Sequence, residues 1–221
     1  MRVVLFGASG MIGKGVLLEC LDDPRVESVL SIGRGACGVT HPRLREILRR
    51  DFFDYGDLAA ELAGHDACFF CLGITAVGLP EAEYARLTEE LTLAAASTLL
   101  ERNPGLIFCY VSGQGTNADS RFMWTRVKGR TERRLLAMPF RAALMFRPGL
   151  IQPLRGVRSR TRLYRTVIGF LLPFFPLLRL LFPRQVCTTV EIGQAMINAA
   201  AAGGSSRVLE PADIRALARG A

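Results

Sequence analysis

Short apolar runs alternate with longer stretches of helical periodicity through the first two thirds of the chain. The runs have the length of buried strands and end at glycine, proline or polar turns. They predict six strands, at 3–6, 28–32, 45–48, 67–71, 106–111 and 143–146. The helical stretches predict four helices, at about 11–21, 55–62, 81–102 and 122–137. Because a parallel sheet needs a helix between successive strands, we expect an α/β fold with a doubly wound parallel sheet.

The alternation fails beyond Gln152, where a basic segment precedes an apolar one. Residues 155–165 contain five arginines and no acid, and residues 166–178 are uncharged. Thirteen apolar residues interrupted by two prolines are too short for a transmembrane span, which needs roughly twenty. We expect residues 153–185 to form a small cap over a substrate pocket or a subunit contact. A peripheral membrane contact through 155–182 is the alternative.

The end of the chain returns to regular elements. Residues 186–198 predict a helix capped by Thr188 or Thr189. A short strand near Arg207–Leu209 and a last helix from Pro211 follow. A length of 221 residues suits one domain, so we expect residues 1–221 to form a single domain with a small, mostly helical C-terminal cap region.

Three glycines at three-residue spacing follow the first strand and precede the first helix. In this position they allow a tight turn, the approach of a pyrophosphate to the backbone, and close packing of helix on strand. The amides at the helix start then face the anion. The turn therefore predicts a dinucleotide site in a Rossmann-type domain, with an ordinary glycine-rich turn as the alternative. The predicted contacts are Gly7, Ser9, Gly10, Met11, Ile12 and Gly13.

The end of the second strand favours NADP(H) over NAD(H). NAD sites have an acidic residue about twenty residues after the glycines, which binds the ribose 2′-hydroxyl. This chain has Arg34 there, a planar cation suited to a 2′-phosphate, unless it is only a solvated loop residue. Further cofactor contacts are expected where later strands end, at Asp51, Phe52, Cys71, Leu72, Gly73, Pro148 and Gly149.

The net charge of +8 comes from twenty-six arginines and two lysines. Such an excess fits nucleic acid, anionic lipid, a phosphorylated ligand or a merely solvated surface, which we favour. Nucleic-acid binding is not expected, because no recognised motif accompanies the charge. The six cysteines lie mostly in apolar runs and predict reduced thiols. No signal peptide and no metal site are predicted, so we expect a cytoplasmic protein.

Several motifs, in their order along the chain, resemble the short-chain dehydrogenase/reductase superfamily. They are Gly7–Gly13, Asp51-Phe52, Cys71–Thr75, Tyr110–Gly113, Val127–Glu132 and Phe146–Gly149. More closely, they resemble its atypical, epimerase-like branch, which includes the Tat-interacting oxidoreductase-like proteins. The resemblance covers residues 1–153 well and the rest loosely. It implies a small-molecule substrate, which the sequence does not identify, and a homodimer built on the helices at 81–102 and 122–137.

The resemblance also implies a catalytic serine, tyrosine and lysine, the last two four residues apart on one helix. Lys128 takes the lysine position and would hold the nicotinamide ribose as a cofactor contact. Trp124 then falls in the tyrosine position, where it either closes the nicotinamide pocket or is a core aromatic. Gly113 falls in the serine position, with Ser112 one residue early. An indole N–H is no usable acid, so two of three catalytic groups are absent.

Lys128, Ser112 and Trp124 remain the candidate catalytic residues. Two functions stay open. The first is an NADP(H)-dependent oxidoreductase or epimerase-like enzyme with a departed catalytic set. The alternative is a non-catalytic NADP(H)-binding sensor or regulatory interaction protein.

Overall fold

The computed structural model describes residues 1–157, 185–205 and 207–220, together with Thr166, Phe175, Leu178 and Leu180. The strands in these residues are β1 (Arg2–Phe6), β2 (Ser28–Gly33), β3 (Leu44–Leu48), β4 (Ala67–Phe70), β5 (Ile107–Val111), β6 (Ala142–Phe146), β7 (Leu150–Gln152), β8 (Val186–Thr188) and β9 (Arg207–Leu209). The helices are α1 (Met11–Asp22), α2 (Glu81–Ala85), α3 (Leu91–Arg102), α4 (Met123–Ala137), α5 (Thr189–Ala202) and α6 (Pro211–Ala218).

Seven strands form one sheet in the order β3-β2-β1-β4-β5-β6-β9. Every neighbouring pair is parallel. The predicted doubly wound α/β fold is therefore confirmed, and so is each of its predicted strands. The order reverses between β1 and β4, and in such sheets ligands bind at the carboxyl ends of the strands beside this point.

Successive side chains of the strands point to opposite faces and build two apolar layers. Val3 and Leu5 pack with α1, α5 and α6, whereas Val4 and Phe6 pack with α3 and α4. The second layer is aromatic. Phe6 and Phe70 have ring centroids 5.1 Å apart, and both lie fully buried in the sheet centre.

Two glycines let α1 and α5 cross at close range. A Cβ atom at Gly15 would lie 2.6 Å from Cβ of Thr189, and one at Gly193 would lie 2.7 Å from Cγ of Glu19. The start of α5 is fixed by a capping box, in which Thr188 Oγ1 accepts from the Glu191 amide at 3.0 Å. The close crossing of α1 and α5 holds the C-terminal part of the chain on the layer that contains Val3 and Leu5.

The structure differs from the predicted elements in three places. The helix expected at 55–62 is only a 3₁₀ turn at Gly56–Leu58, because Asp54 accepts from the Gly56 amide and the chain turns there. The helix expected at 81–102 is interrupted by a π-helical turn, Arg86–Glu90. The helix predicted from 186–198 has Thr188 as its N-cap, as expected, but it begins only at Thr189, and residues 186–188 form β8, which pairs with β7 in a parallel two-stranded sheet.

Ion pairs join α2 and the π-helical turn at Arg86–Glu90 to α4. Arg126 and Arg130 both bind Glu81, and Arg130 also binds Glu89. Much of the arginine charge of α4 is therefore compensated inside the chain. The homodimer expected from these helices stays a prediction.

Most of the expected cap at 153–185, and of the membrane contact at 155–182, lies outside the described residues. Of the described part, Arg155 binds Glu19 at 2.8 Å and Asp22 at 2.7 Å. Phe175 is fully buried and packs near Val186. In the described ranges no helix combines the length and the apolar character that a membrane crossing requires.

Candidate functional site

The glycine turn lies where β1 ends, at the reversal of strand order. Gly7 has φ of 83° and a Cβ atom there would lie 2.8 Å from the carbonyl of Cys71. A Cβ atom at Gly13 would lie only 2.1 Å from the Gly7 oxygen. Since backbone atoms occupy both Cβ positions, no side chain fits at either glycine. This packing brings the start of α1 against the ends of β1 and β4.

The first turn of α1 presents free amides at the same edge. Its first helical bond runs from the Lys14 amide to the Gly10 oxygen at 2.9 Å, so the amides of Met11, Ile12 and Gly13 precede the helical ladder. Gly10 is the N-cap without a side-chain bond, and the first turn contains no acid. The amides and the positive end of the helix dipole therefore suit an anion.

Two cations lie at the end of β2. Arg34 is exposed, and in the described part of the chain no residue forms an ion pair or side-chain hydrogen bond with it. Lys14 reaches across from α1 and donates to the Cys37 oxygen at 2.6 Å. The Cys37 amide in turn donates to Glu46 at 2.8 Å. The loop that begins at Arg34 is thus held next to the glycine turn.

The cofactor contacts predicted after β3 and β4 differ in how accessible they are. Asp51 is exposed, and its carboxylate accepts from the Phe53 amide at 2.8 Å. Phe52 is 4 % exposed and its ring lies in the apolar core, so only its backbone remains as a ligand contact. Leu72 also packs against that core. Gly73 faces open space.

The two cysteines beside this edge do not form a pair. Cys68 packs in the aromatic layer, whereas Cys71 packs against the opposite layer. This opposite placement follows from their spacing on a strand. Burial raises the pKa of both thiols, so both stay protonated, and neither forms a disulfide.

Lys128 projects from α4 toward the end of β5. Its Nζ donates to the Val111 oxygen at 3.3 Å and lies 5.3 Å from the ring centroid of Tyr110. Burial lowers the pKa of Lys128 from 10.5 to about 8, and the Glu132 carboxylate opposes this shift. The ammonium is therefore held at the carboxyl edge at a cost in solvation.

Trp124 and Gly113 face each other beside Lys128. A Cβ atom at Gly113 would lie 3.5 Å from Cζ3 of Trp124. The indole is 38 % exposed and so is no core aromatic. The structure thus brings together the two positions that the resemblance assigns to serine and tyrosine, with neither group present.

Ser112 is not free to replace the missing serine. It is 7 % exposed, and its Oγ lies 3.0 Å from Thr116 Oγ1. Thr116 uses its single hydroxyl proton in a 2.7 Å bond to the Gly113 oxygen. Ser112 therefore donates to Thr116, and this bond fixes the turn after β5.

A buried ion pair supports the end of β6. Arg147 binds Glu132 through two bonds, of 3.0 and 2.5 Å, and binds Glu210 at 3.1 Å. Sequence reasoning missed this pair, as it missed the Lys14 contact. Gly149 is a packing position, because a Cβ atom there would lie 2.3 Å from the Gln185 oxygen.

Pro148 contributes its backbone to the same turn. Its oxygen accepts from the Gln114 amide at 3.1 Å, which ties the turn after β6 to the turn after β5. In the ranges that the structure describes, no cluster of three or more histidine, cysteine or acidic side chains has the arrangement of a metal site.

Curated relatives match most of the chain, although no family model does. The mitochondrial protein fmp52 of Emericella nidulans is 29 % identical over 177 residues, covering 76 % of this chain and 73 % of the relative. HTATIP2 of Rattus norvegicus is 28 % identical over 151 residues, covering 67 % and 62 %. Other fungal relatives are also named mitochondrial. These names contradict the predicted cytoplasmic location, which is therefore wrong.

Solved structures share the fold. A short-chain dehydrogenase family protein of Francisella tularensis has a TM-score of 0.67 at 15 % identity, covering 96 % of this chain and 98 % of its own. WbmF of Bordetella bronchiseptica, solved with NAD+, has a TM-score of 0.66 at 15 % identity, covering 97 % and 76 %. The resemblance is confirmed: the chain is similar to the HTATIP2 and FMP52 proteins and shares the fold of solved short-chain dehydrogenases and epimerases.

Proposed function

We propose that this chain binds a nicotinamide dinucleotide across the carboxyl edge of its sheet. The observation that carries the proposal is the glycine turn, where backbone atoms occupy the Cβ positions of Gly7 and Gly13 and the first amides of α1 are open. The pyrophosphate is expected at these amides and the nicotinamide ribose at Lys128. Such a cofactor supplies hydride transfer.

Gly10 offers a sharp test of this placement. Its Cβ position lies 3.3 Å from the Gly7 oxygen, so Gly10→Ala needs only a small shift of the backbone. The methyl group would occupy the approach of the pyrophosphate. We expect NADPH, titrated against the fluorescence of Trp124, to bind at least tenfold more weakly to Gly10→Ala. The control Gly105→Ala, whose Cβ faces open space, should bind as the native chain does. Equal affinity in both variants would refute the placement.

NADP(H) is the proposed form of the cofactor. Arg34 is exposed at the end of β2, and the Lys14 ammonium supplies a second cation at the same loop. A 2′-phosphate suits these two cations, whereas no acid follows β2 to accept from a ribose 2′-hydroxyl. We expect Arg34→Ala to weaken NADPH at least tenfold and NADH less than twofold. Arg133→Ala, on the outer surface of α4, is the charge-matched control. Native affinity for NADH equal to that for NADPH would contradict this choice.

The geometry favours a non-catalytic response to cofactor occupancy. Trp124 lies against Gly113, and the Ser112 hydroxyl is used within its turn, so neither family position supplies a proton donor among the residues that the structure describes. An exposed indole beside a bound cofactor is instead suited to change its surroundings on binding. We propose a sensor or regulatory interaction protein on this basis.

An oxidoreductase or epimerase-like enzyme is the second candidate, favoured by the ammonium that Lys128 keeps at the site. A library of carbonyl compounds, with NADPH absorbance as the readout, separates the two. The sensor proposal predicts no turnover by the native chain, and turnover by a Gly113→Ser, Trp124→Tyr double variant. Native turnover that disappears in Lys128→Ala would refute the sensor and establish the enzyme.

A further inference from the structure

A concave surface lies at the amino ends of the strands, on the opposite edge from the glycine turn. This groove has a volume of about 710 Å³. It is bordered by the start of β1, the turns that precede β4, β5 and β6, and the last residues of α5. Strands of five residues separate it from the dinucleotide site by about 15 Å. Nothing in the proposed function uses it.

Four arginines from four separate segments line the groove. Arg25 is already engaged, because it binds Asp23 through its guanidinium and also donates to Asn198 at 2.8 Å. Arg2, Arg102 and Arg141 differ from it: none of them forms an ion pair with another residue that the structure describes. Three uncompensated guanidinium groups therefore border one cavity.

The groove contains little that would neutralise them. Its one acidic lining residue is Asp66, and that carboxylate already accepts from the Arg2 amide at 2.6 Å. His65 adds no charge at neutral pH, because burial lowers its pKa below the usual 6.5. Since three cations face a single carboxylate, the lining has a net charge of +2 before Arg25 is considered.

Two of the guanidinium groups lie against bare backbone. A Cβ atom at Gly64 would lie 3.1 Å from a terminal nitrogen of Arg2, and one at Gly203 would lie 2.6 Å from a terminal nitrogen of Arg141. Both glycines have positive φ, of 76° and 64°, which favours glycine at each place. A larger residue at either glycine would push the guanidinium from the position it now occupies in the groove lining.

We propose that this groove binds a small anion that carries at least two phosphoryl groups. Guanidinium groups bind phosphate through paired hydrogen bonds, and three of them can engage two phosphoryl groups at once. The volume is in the range of small-molecule sites, roughly 300–1,000 Å³. A membrane surface is a poorer fit to a concave lining, and the described lining residues include no exposed aromatic platform of the kind that stacks single-stranded nucleic acid.

The test uses sodium tripolyphosphate as the probe, titrated by calorimetry in 0.15 M salt. We expect saturable binding of one anion per chain. The double variant Arg102→Gln, Arg141→Gln should bind at least tenfold more weakly, because it removes two charge-assisted contacts. The control Arg121→Gln, Arg133→Gln removes the same charge outside the groove and should bind within twofold of the native chain.

Several results would overturn the proposal. The first is that tripolyphosphate shows no saturable binding. The second is that both double variants lose the same affinity for it. The third is that Gly10→Ala weakens its binding instead, which would place the probe at the glycine turn. Anionic phospholipid vesicles or RNA that bind through Arg102 and Arg141 while tripolyphosphate does not would also refute a small anion. Thermal unfolding of each variant checks its fold. NADPH affinity should not change in the groove variant, so the two sites are tested separately.

Discussion

Replacement of Lys128 by methionine should make the protein more stable and bind its cofactor less well. The ammonium is partly buried, and its pKa falls from 10.5 to about 8. A lowered pKa in the folded state means that folding disfavours the charged form. At neutral pH the native chain carries this cost in full, and a methionine of similar length does not.

The size of the effect follows from the shift. A fall in pKa from 10.5 to about 8 corresponds to about 3–4 kcal/mol at 1.36 kcal/mol per unit. The variant loses the 3.3 Å bond to the Val111 oxygen and the contact with the Tyr110 ring, which together offset about 1–2 kcal/mol. Glu132 keeps its bonds to Arg147, so no buried carboxylate is left alone. We expect a net gain of about 2 kcal/mol in the free energy of unfolding at pH 7.

The pH dependence gives the decisive sign. Between pH 8 and 10.5 the unfolded chain still binds a proton on Lys128 that the folded chain has lost, so native stability rises with pH in this window. The gain from Lys128→Met should therefore be complete below pH 8 and largely gone near pH 10.5. Urea unfolding followed by circular dichroism at several pH values measures it.

Lys14→Met is the matched control. It removes the only other lysine, whose ammonium donates a 2.6 Å bond to the Cys37 oxygen, so this variant should lose stability instead. A Lys128→Met protein that is no more stable than the native chain at pH 7, or whose gain does not change with pH, would refute the reasoning. Weaker NADPH binding by the same variant would show that the Lys128 ammonium serves cofactor binding.

Three further changes have defined outcomes. Gly13→Ala places a Cβ atom 2.1 Å from a backbone oxygen; it should cost about 1–3 kcal/mol in urea unfolding and abolish NADPH binding, and full stability would contradict the packing. Thr188→Ala removes the capping box of α5 and should cost about 1 kcal/mol, a fall of about 2–4 °C in Tm, whereas Thr188→Ser should keep most of it. Arg147→Met leaves the charge of Glu132, which is 3 % exposed, without its arginine partner and should cost about 3–5 kcal/mol. Adding Glu132→Gln should restore part of this stability. No rescue would refute the buried ion pair as the cause.

The fold was predictable because its signals are local. Apolar runs of strand length occupy the sheet, and the glycine turn follows the first of them at the reversal of strand order. The helix predicted at 55–62 failed because Tyr55, Leu58 and Leu62 have helical spacing but anchor an irregular loop in the core. Spacing alone does not separate these two structures.

The site was predictable only where one segment builds it. The glycines act through their own backbone, so the sequence reveals them. The contact of Lys14 with Cys37 spans 23 residues, and that of Arg147 with Glu210 spans 63. Such contacts depend on which strand ends become neighbours, and no periodicity encodes that. For Lys14 the sequence offers one signal: it is one of only two lysines in the chain, and it directly follows Gly13.

At the carboxyl edge of the sheet, the groups that would bind a dinucleotide are present, whereas the groups that would transfer a proton are not. The parts that would hold a dinucleotide are backbone features and one partly buried ammonium: a left-handed φ at Gly7 that glycine adopts readily, and a desolvated charge at Lys128 that is maintained against a cost. The groups that would transfer a proton are both absent, and Trp124 lies against Gly113 in their positions, where a Cβ atom on Gly113 would make an ordinary contact with the indole at 3.5 Å. Gly113→Ser alone would fit beside the indole but would lack the phenol, and Trp124→Tyr alone would lack the hydroxyl at position 113. Because each single variant lacks the other group, activity is expected only from the double variant, and this non-additivity would show that the two groups act as one unit.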